Sequence, residues 1–426
     1  MRLLDELEWR GLVHQKTADE LGDRLEAGPV TLYNGFDPTG PSLHVGHLLP
    51  VVLLRHFQNR GHTVIALTGG ATGLVGDPSG KSAERNLLDR AQVEANARRI
   101  GGQLLRLLAD DKNPPLHADN IDWLGPMGLL EFLRDVGKHF SVNAMIAKDS
   151  VRLRLEREGE GISFTEFSYA LLQARDFLEL HRRHGCILQC GGSDQWGNIV
   201  GGTDLIRRAT GARAYGLTVP LLTDAEGNKF GKTEQGTSCF LDPALTSPFR
   251  FYQFWINTPD AEVARLLKLF TFFDRARIEA LEATVGSPAR EAQKALAGAV
   301  TTFVHGAAET EKAVRASEVL YGGALDGVPA ALLREIFADV PSITLAAGRL
   351  NGGISLVDLL VEVGACASKS DARRQLGQGA VRLNGQPVEA AAGGSDPTVT
   401  RAAFLEDSVL VIRRGKRNTY LVKLEG

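Results

Sequence analysis

The sequence predicts an α/β protein whose first half forms a parallel sheet covered by helices, and three observations support that. Short β-branched or apolar runs recur, "VTLYNGF" at 30–36, "TVIAL" at 63–67 and "CILQCGG" at 186–192. Long stretches of helical periodicity separate them, which is the strand-helix-strand pattern a parallel sheet requires. From Pro248 to about Ala338 the pattern is helical throughout, so a second kind of unit follows the first.

In chain order, the strand "VTLYNGF" runs into a turn made by Pro38, Gly40 and Pro41, and "HVGHLLPVVLLRHFQNRG" then reads as a helix opening at 44–47. The strand "TVIAL" ends in the glycine-rich bend "TGGATGLVGDPSGKS" at 68–82. The helix "FTEFSYALLQARDFLEL" at 164–180 precedes the strand "CILQCGG". In the helical half, "PAREAQKALAGAVTTFVHGAAETEKAVRASEVLYGG" stops at Gly322 and Gly323. Pro341, Gly348, Gly352 and Gly353 break any period in "VPSITLAAGRLNGG", which reads as a linker. A helix pair, a hairpin turning at Asn384 and Gly385, and a last hairpin, "VLVIRRGKRNTYLVKL", close the chain. The expected division is 1–247, 248–338, a linker at 339–352, and 353–426.

Charged residues are 23% of the chain and apolar ones 43%, with a formal charge of −3, which excludes a disordered chain and a uniformly basic coat. Asp5, Glu6 and Glu8 interrupt the start, so it does not read as a signal peptide, and no apolar run is long enough to span a bilayer. Four cysteines without paired spacing fit a reduced compartment, and the expectation is a cytoplasmic protein.

Four stretches carry chemistry. His44 and His47 lie about one helical turn apart at a helix start, where free N–H groups and the helix dipole suit phosphate, and Gly46 lets a bulky ligand approach. A metal reading lacks a third ligand at ligand spacing, and packing is the bland alternative. The bend at 68–82 nearly spells a phosphate loop, but Val75 stands where its first glycine belongs, so a ligand-binding bend and a plain tight turn both stay open. Tyr169, Gln173 and Asp176 share one stripe of a helix whose neighbours are apolar, which favours a pocket lining over a solvated face. "DAEGNKFGKTEQGT" at 224–237 places Lys229 and Lys232 on a glycine-rich loop able to follow migrating phosphate charge. "HRRHGCILQC", with His181, His184, Cys186 and Cys190, matches no standard zinc spacing and reads as a helix end running into a strand.

Together, "HVGH", "KFGKT", "LYNGFDPT", "GGATGLVGDPSGK", "FTEFSYALLQARDF" and "GGSDQWGN" resemble the class I aminoacyl-tRNA synthetases, and within them the bacterial tyrosyl-tRNA synthetases, over nearly the whole length. The resemblance implies a Rossmann-like catalytic domain, an α-helical domain on the anticodon side of tRNA, and a small α+β RNA-binding domain. It implies that Tyr33 and Asp176 hold the phenol of L-tyrosine, that Tyr169, Gln173 and Asp77 hold its ammonium group, and that Gln195 and Thr72 lie beside them. His44 and His47 would meet the ATP phosphates with Thr39 assisting, and Gly192 and Asp194 would lie near the ribose. Lys81, Arg85, Lys229 and Lys232 would stabilise the leaving pyrophosphate, with Thr233 as the hydroxyl of the loop.

The resemblance also implies Mg²⁺ bound through ATP, no protein metal site, tRNA(Tyr) as partner, no membrane, and a homodimer. A pocket that pairs the phenol strands phenylalanine, an effect for which tyrosyl synthetases are themselves the standard example, so no editing domain is expected. Pro50 falls early in the HVGH helix, where little distortion is expected. "SKSDARRQLGQGAVRLNG" resembles the small RNA-binding fold first named for a ribosomal protein, which implies RNA contacts from Lys369, Arg373, Arg374, Arg413, Arg414, Lys416 and Arg417. Residues 351–426 hold ten Lys or Arg against eight Asp or Glu, so a patch rather than the total would bind phosphate. The alternatives are a tryptophanyl-type synthetase and a non-catalytic RNA-binding or splicing factor on the same scaffold.

Overall fold

The computed structural model describes residues 1–79, 88–147, 151–152, 155, 161–223, 230–231, 238–320, 322–325, 327–338, 340–388, 396–415 and 418–425. They fall into two compact units, one of residues 1–247 with 254–305, the other of 248–253 with 306–426.

The first unit is built on a six-stranded sheet ordered β1-β6-β5-β2-β3-β4. Its strands are β1 (Gln15–Lys16), β2 (Thr31–Phe36), β3 (Thr63–Thr68), β4 (Leu116–Asp119), β5 (Cys186–Gly192) and β6 (Tyr215–Val219). The expected strands β2, β3 and β5 are present and parallel to their neighbours. The sequence reading missed three others. β4 and β6 complete the parallel set, whereas β1 pairs with β6 antiparallel. The two-residue β1 has no period of its own to read.

Helix α1 (Val45–Asn59) connects β2 to β3, α2 (Phe164–His184) precedes β5, and α3 (Trp196–Thr210) connects β5 to β6. The chain therefore leaves β2 toward β3 on one side, while β5 and β6 continue the sheet on the other. The strand order reverses between β2 and β5, and their carboxyl ends open a crevice there. The buried faces of β2, β3, α2 and α3 supply Tyr33, Ile65, Leu67, Ala174, Phe177, Leu178 and Leu205 to one core.

Residues 254–305, helical as expected, pack with the sheet-bearing residues rather than with the helices that follow them. The reason is aromatic: Phe230, between β6 and these helices, meets Phe254, Trp255 and Phe270 with ring centroids 5.5, 5.9 and 6.0 Å away. Phe270 ends helix α4 (Asp260–Phe270).

The second unit holds a five-stranded sheet, β10-β9-β12-β13-β7. Its strands are β7 (Ser342–Ala346), β9 (Val381–Leu383), β10 (Gln386–Pro387), β12 (Val409–Arg414) and β13 (Asn418–Glu425), with a separate pair, β8 (Ile354–Ser355) and β11 (Thr398–Val399). Residues 342–346, inside the expected linker, are a strand because they pair parallel with β13, from Ser342 opposite Leu421 to Ala346 opposite Glu425. That partner is about eighty residues away, so no local signal announces it. Helices α5 (Ala307–Leu320) and α6 (Ala330–Ile336) pack Val319, Leu333 and Ile336 against Val409, Val411 and Leu421. Helices α7 (Leu356–Glu362) and α8 (Lys369–Gly377) pack Leu360 and Leu376 against Leu410, Ile412 and Val422. Alternating residues of β12 thus serve two cores.

Candidate functional site

A cavity of about 270 Å³ lies in the crevice between the ends of β2 and β5. Tyr33, Asn34 and Asp37 come from β2 and the turn after it, and Gln189 and Gly192 from β5, where Tyr33 faces Gln189 across the ladder. Helix α2 contributes Tyr169, Gln173 and Asp176, the row that the helical spacing predicts. Thr39, Gly46, His47, Thr72, Asp77, Asp194 and Gln195 complete the set of sequence-predicted residues that line it. Pro50 also lines it. It is the sixth residue of α1, in the second turn rather than the first, and the helix stays continuous around it.

At one end, Asp176 is buried with Oδ1 accepting from Trp123 Nε1 at 2.8 Å and Oδ2 accepting from Asn120 Nδ2 at 3.0 Å. Burial pushes its carboxyl up to about 7 against those two bonds. Tyr33 stands on the same floor, its hydroxyl buried and without a hydrogen-bond partner among the described residues. Burial and the neighbouring Asp176 raise that phenol. A donor-acceptor pair placed this way suits a ligand hydroxyl that gives one hydrogen bond and takes one.

Further along, Tyr169 and Thr72 donate to the two oxygens of Asp37, each at 2.7 Å, and Asn120 donates to Thr72 at 2.9 Å. Gln195 donates to Asp77 at 2.6 Å and the Ser79 N–H does so at 2.9 Å. Asn198 donates to Gln173 Oε1 at 3.0 Å. The sequence reading missed Asp37, Asn120, Trp123 and Asn198. The glycine-rich bend is also explained here: a Cβ on Gly69 would collide with Asp37 Oδ1 and Thr72 Oγ1. The bend makes room for the protein's own side chains.

At the other end, the two histidines hold each other in place. His44 Nδ1 accepts from the Gly46 N–H at 3.0 Å, and His47 Nδ1 accepts from the His44 N–H at 3.3 Å, with ring centroids 4.0 Å apart. An Nδ1 that accepts leaves the neutral ring's hydrogen on Nε2. Burial keeps His44 toward its neutral form. The expectation of free N–H groups at this helix start is corrected: the N–H groups of residues 45, 46 and 47 bond to Cys239 O, His44 Nδ1 and His44 O. Gly46 has a second purpose, because a Cβ there would sit 2.8 and 3.0 Å from the His44 ring.

Phe230 and Gly231, the described residues of "KFGKT", lie against this helix start. Cys239 donates to Gly231 O at 2.9 Å while its own carbonyl takes Val45, and Gly231 has φ +104° with its Cβ direction 3.3 Å from the Gly46 nitrogen. Lys81, Arg85, Lys229, Lys232 and Thr233 lie outside the described residues.

In the second unit the expected RNA contacts are engaged otherwise. Arg413 donates to Val319 O at 2.6 Å and Gly323 O at 3.4 Å at the end of α5, and Arg414 donates to Ala365 O. Lys369 pairs with Asp358 at 2.7 Å, Arg373 with Asp396 at 2.8 Å and Arg374 with Asp371 at 2.6 Å. Lys416 and Arg417 lie outside the described residues. Of the cysteine-histidine stretch, His181 bonds to Cys186 O at 2.9 Å, and both cysteines are buried on β5.

Comparison with known proteins gives the family of the chain. The family model "tRNA synthetases class I (W and Y)" matches residues 25–322, and that of the "Tyrosine--tRNA ligase SYY-like C-terminal domain" matches 333–422. The chain belongs to the class I tRNA synthetases of the W and Y group. The synthetase is 52% identical over 430 residues to the tyrosine-tRNA ligase of Opitutus terrae, covering 100% of each chain. It is 51% identical to that of Geobacillus stearothermophilus, covering 99% of this chain and 100% of the other. A C-terminally truncated mitochondrial tyrosyl-tRNA synthetase of Aspergillus nidulans superposes with TM-score 0.69 at 34% identity, covering 75% of this chain and 94% of that one. A tryptophanyl-tRNA synthetase of Encephalitozoon cuniculi, at TM-score 0.54 and 18% identity over 72% of this chain and 87% of its own, shares the fold.

Two outcomes are expected. Gly46→Ala displaces the His44 ring, costs the helix start about 1 kcal/mol and slows the ATP-dependent reaction about 100-fold, while circular dichroism shows the helix content retained. The raised Asp176 favours its protonated form in the folded state, so the stability it contributes is full below pH 3.8 and lost as pH rises toward about 7. Denaturant unfolding of Asp176→Asn against the parent protein is expected to shift in the variant's favour across that interval, and a pH-independent difference would contradict it.

Proposed function

We propose that this synthetase is a tyrosine-tRNA ligase, which activates L-tyrosine with ATP to tyrosyl-adenylate and pyrophosphate and then transfers tyrosine to the 3′-terminal adenosine of tRNA(Tyr). The observation that carries the reading is one cavity containing Tyr33 and Asp176 at its floor and Gly46, His47 and Asp194 along its length. Tyr33 and Asp176 pair the substrate's phenol, and the polar groups of Tyr169, Gln173 and Asp77 receive its ammonium group. The carboxylate then faces the α-phosphorus for in-line attack, which asks for positioning and charge stabilisation rather than a covalent enzyme intermediate.

The Nε2–H groups of His44 and His47 meet the phosphates with Thr39, Asp194 and Gly192 lie beside the ribose, and Lys81, Arg85, Lys229 and Lys232 stabilise the leaving pyrophosphate. Asp37 and Asp77 already accept from Tyr169, Thr72, Gln195 and Ser79. Such carboxylates fit a magnesium ion carried in by the ATP phosphates and water rather than a protein cage.

The division of labour is the one expected from the sequence, with 1–247 catalytic, 248–338 on the anticodon side and 353–426 binding RNA, although 254–305 pack with the catalytic residues and 306–338 with the RNA-binding ones. Cytoplasmic location is part of the same reading; no helix among the described residues is long and apolar enough to cross a membrane. The working form is a homodimer. Large exposed apolar side chains support that, with Leu129 71%, Leu130 81% and Phe164 79% exposed.

Tyrosine-dependent exchange of labelled pyrophosphate into ATP tests the activity. Tyrosine is expected to drive exchange, with phenylalanine and tryptophan inert, and Tyr33→Phe is expected to raise KM for tyrosine about tenfold through one lost buried hydrogen bond. Tryptophan-driven exchange would move the assignment to the tryptophanyl type. For the dimer, sedimentation of Leu130→Asp is expected to show monomers where the parent chain shows dimers, and a monomeric parent would refute the homodimer.

A further inference from the structure

We propose that Asp358 and Asp396 are specificity-determining residues of the α8 surface, holding Lys369 and Arg373 in an ion-pair clamp that an RNA backbone must displace. The inference rests on reading α8 as an RNA-binding face.

Lys369 and Arg373 stand one turn apart on α8 and face the same way. Asp358 is the third residue of α7, where its N–H is capped by Ser355 Oγ, and its carboxylate lies 2.7 Å from Lys369. Asp396 grips Arg373 with both oxygens, at 2.9 and 2.8 Å. The two pairs are one cluster: the charge of Lys369 also acts on Asp396, and that of Asp358 on Arg373.

Asp396 is not a loose rim residue. Its chain is anchored two residues on, where Thr398 pairs with Ser355, and by Leu356 N–H donating to Pro397 O at 2.7 Å. The side chains of Lys369 and Arg373 remain more than half exposed, so a second anion can reach them.

The guanidinium fork that matches Asp396 matches a phosphate equally well. An exposed ion pair contributes little net stability, so phosphate can replace the carboxylate. The carboxylates nevertheless stay beside the incoming strand as like charges, and like-charge juxtaposition is costly. A strand held in register by the rest of the tRNA contacts displaces both acids and keeps both cations. A strand that drifts over the surface meets neutralised cations and two negative groups. Discrimination against the wrong RNA thus arises from the repulsive partner as well as the attractive one.

Nitrocellulose filter binding of the full-length protein to transcripts of a tyrosine-accepting and a phenylalanine-accepting tRNA, at several salt concentrations, tests this. Asp358→Asn/Asp396→Asn is expected to bind the phenylalanine-accepting transcript about five- to tenfold more tightly, to narrow the ratio between the two transcripts, and to steepen the salt dependence by roughly 0.7–0.9 per freed cation. Asp407→Asn, which frees Arg401 elsewhere in the unit, is expected to leave the ratio unchanged. Unaltered or weakened binding by the double variant, with its thermal transition intact, overturns the clamp. Lys369→Ala/Arg373→Ala separates the two levels. If it weakens tRNA binding while the acid variants change nothing, the RNA-binding face stands and the clamp falls. If it leaves tRNA binding unchanged, both fall.

Discussion

The site depends on a buried carboxylate, Asp176, held inside an apolar core by Trp123 and Asn120. A carboxyl in such surroundings is costly to ionise, which is why it is pushed up to about 7 despite two donors. Those donors each belong to a chain of contacts. Asn120 also holds Thr72, Thr72 holds Asp37, and Asp37 takes the Tyr169 hydroxyl. Loosening one member strands a buried partner, so the floor of the cavity is fixed as a group rather than residue by residue.

The phosphate end is built on a different economy. Each of its histidines accepts a backbone N–H at Nδ1, and this leaves Nε2 to carry the hydrogen of the neutral ring. The helix start thereby gives up the free N–H groups that a phosphate-binding terminus would ordinarily offer. What it presents instead is a pair of imidazoles, with Gly46 bare so that the first ring can fold back over the turn. Gly231 and Cys239 bond to each other and Cys239 to Val45, so these two residues lie against the same turn.

The second unit shows charge used in another way. Its sheet has no face to spare, since β12 packs against α5 and α6 on one side and α7 and α8 on the other. Arg413 and Arg414, at the end of β12, therefore close helix and loop carbonyls. The cations of α8 are exposed but matched by acids, and a motif that reads as a basic patch in one dimension is nearly neutral in three.

The sequence by itself determined the strands β2, β3 and β5, the helix opening at His44, and the row Tyr169, Gln173 and Asp176, because period and capping are local properties. It determined the chemistry of the site too, since motif residues keep their donors and acceptors wherever they sit. Only the tertiary structure decided that Asp37, Asn120 and Trp123 belong to that site, that residues 342–346 form a strand, and that 254–305 pack with the sheet-bearing residues. Each of these rests on a partner tens to hundreds of residues away, and contacts at that separation have no period to announce them.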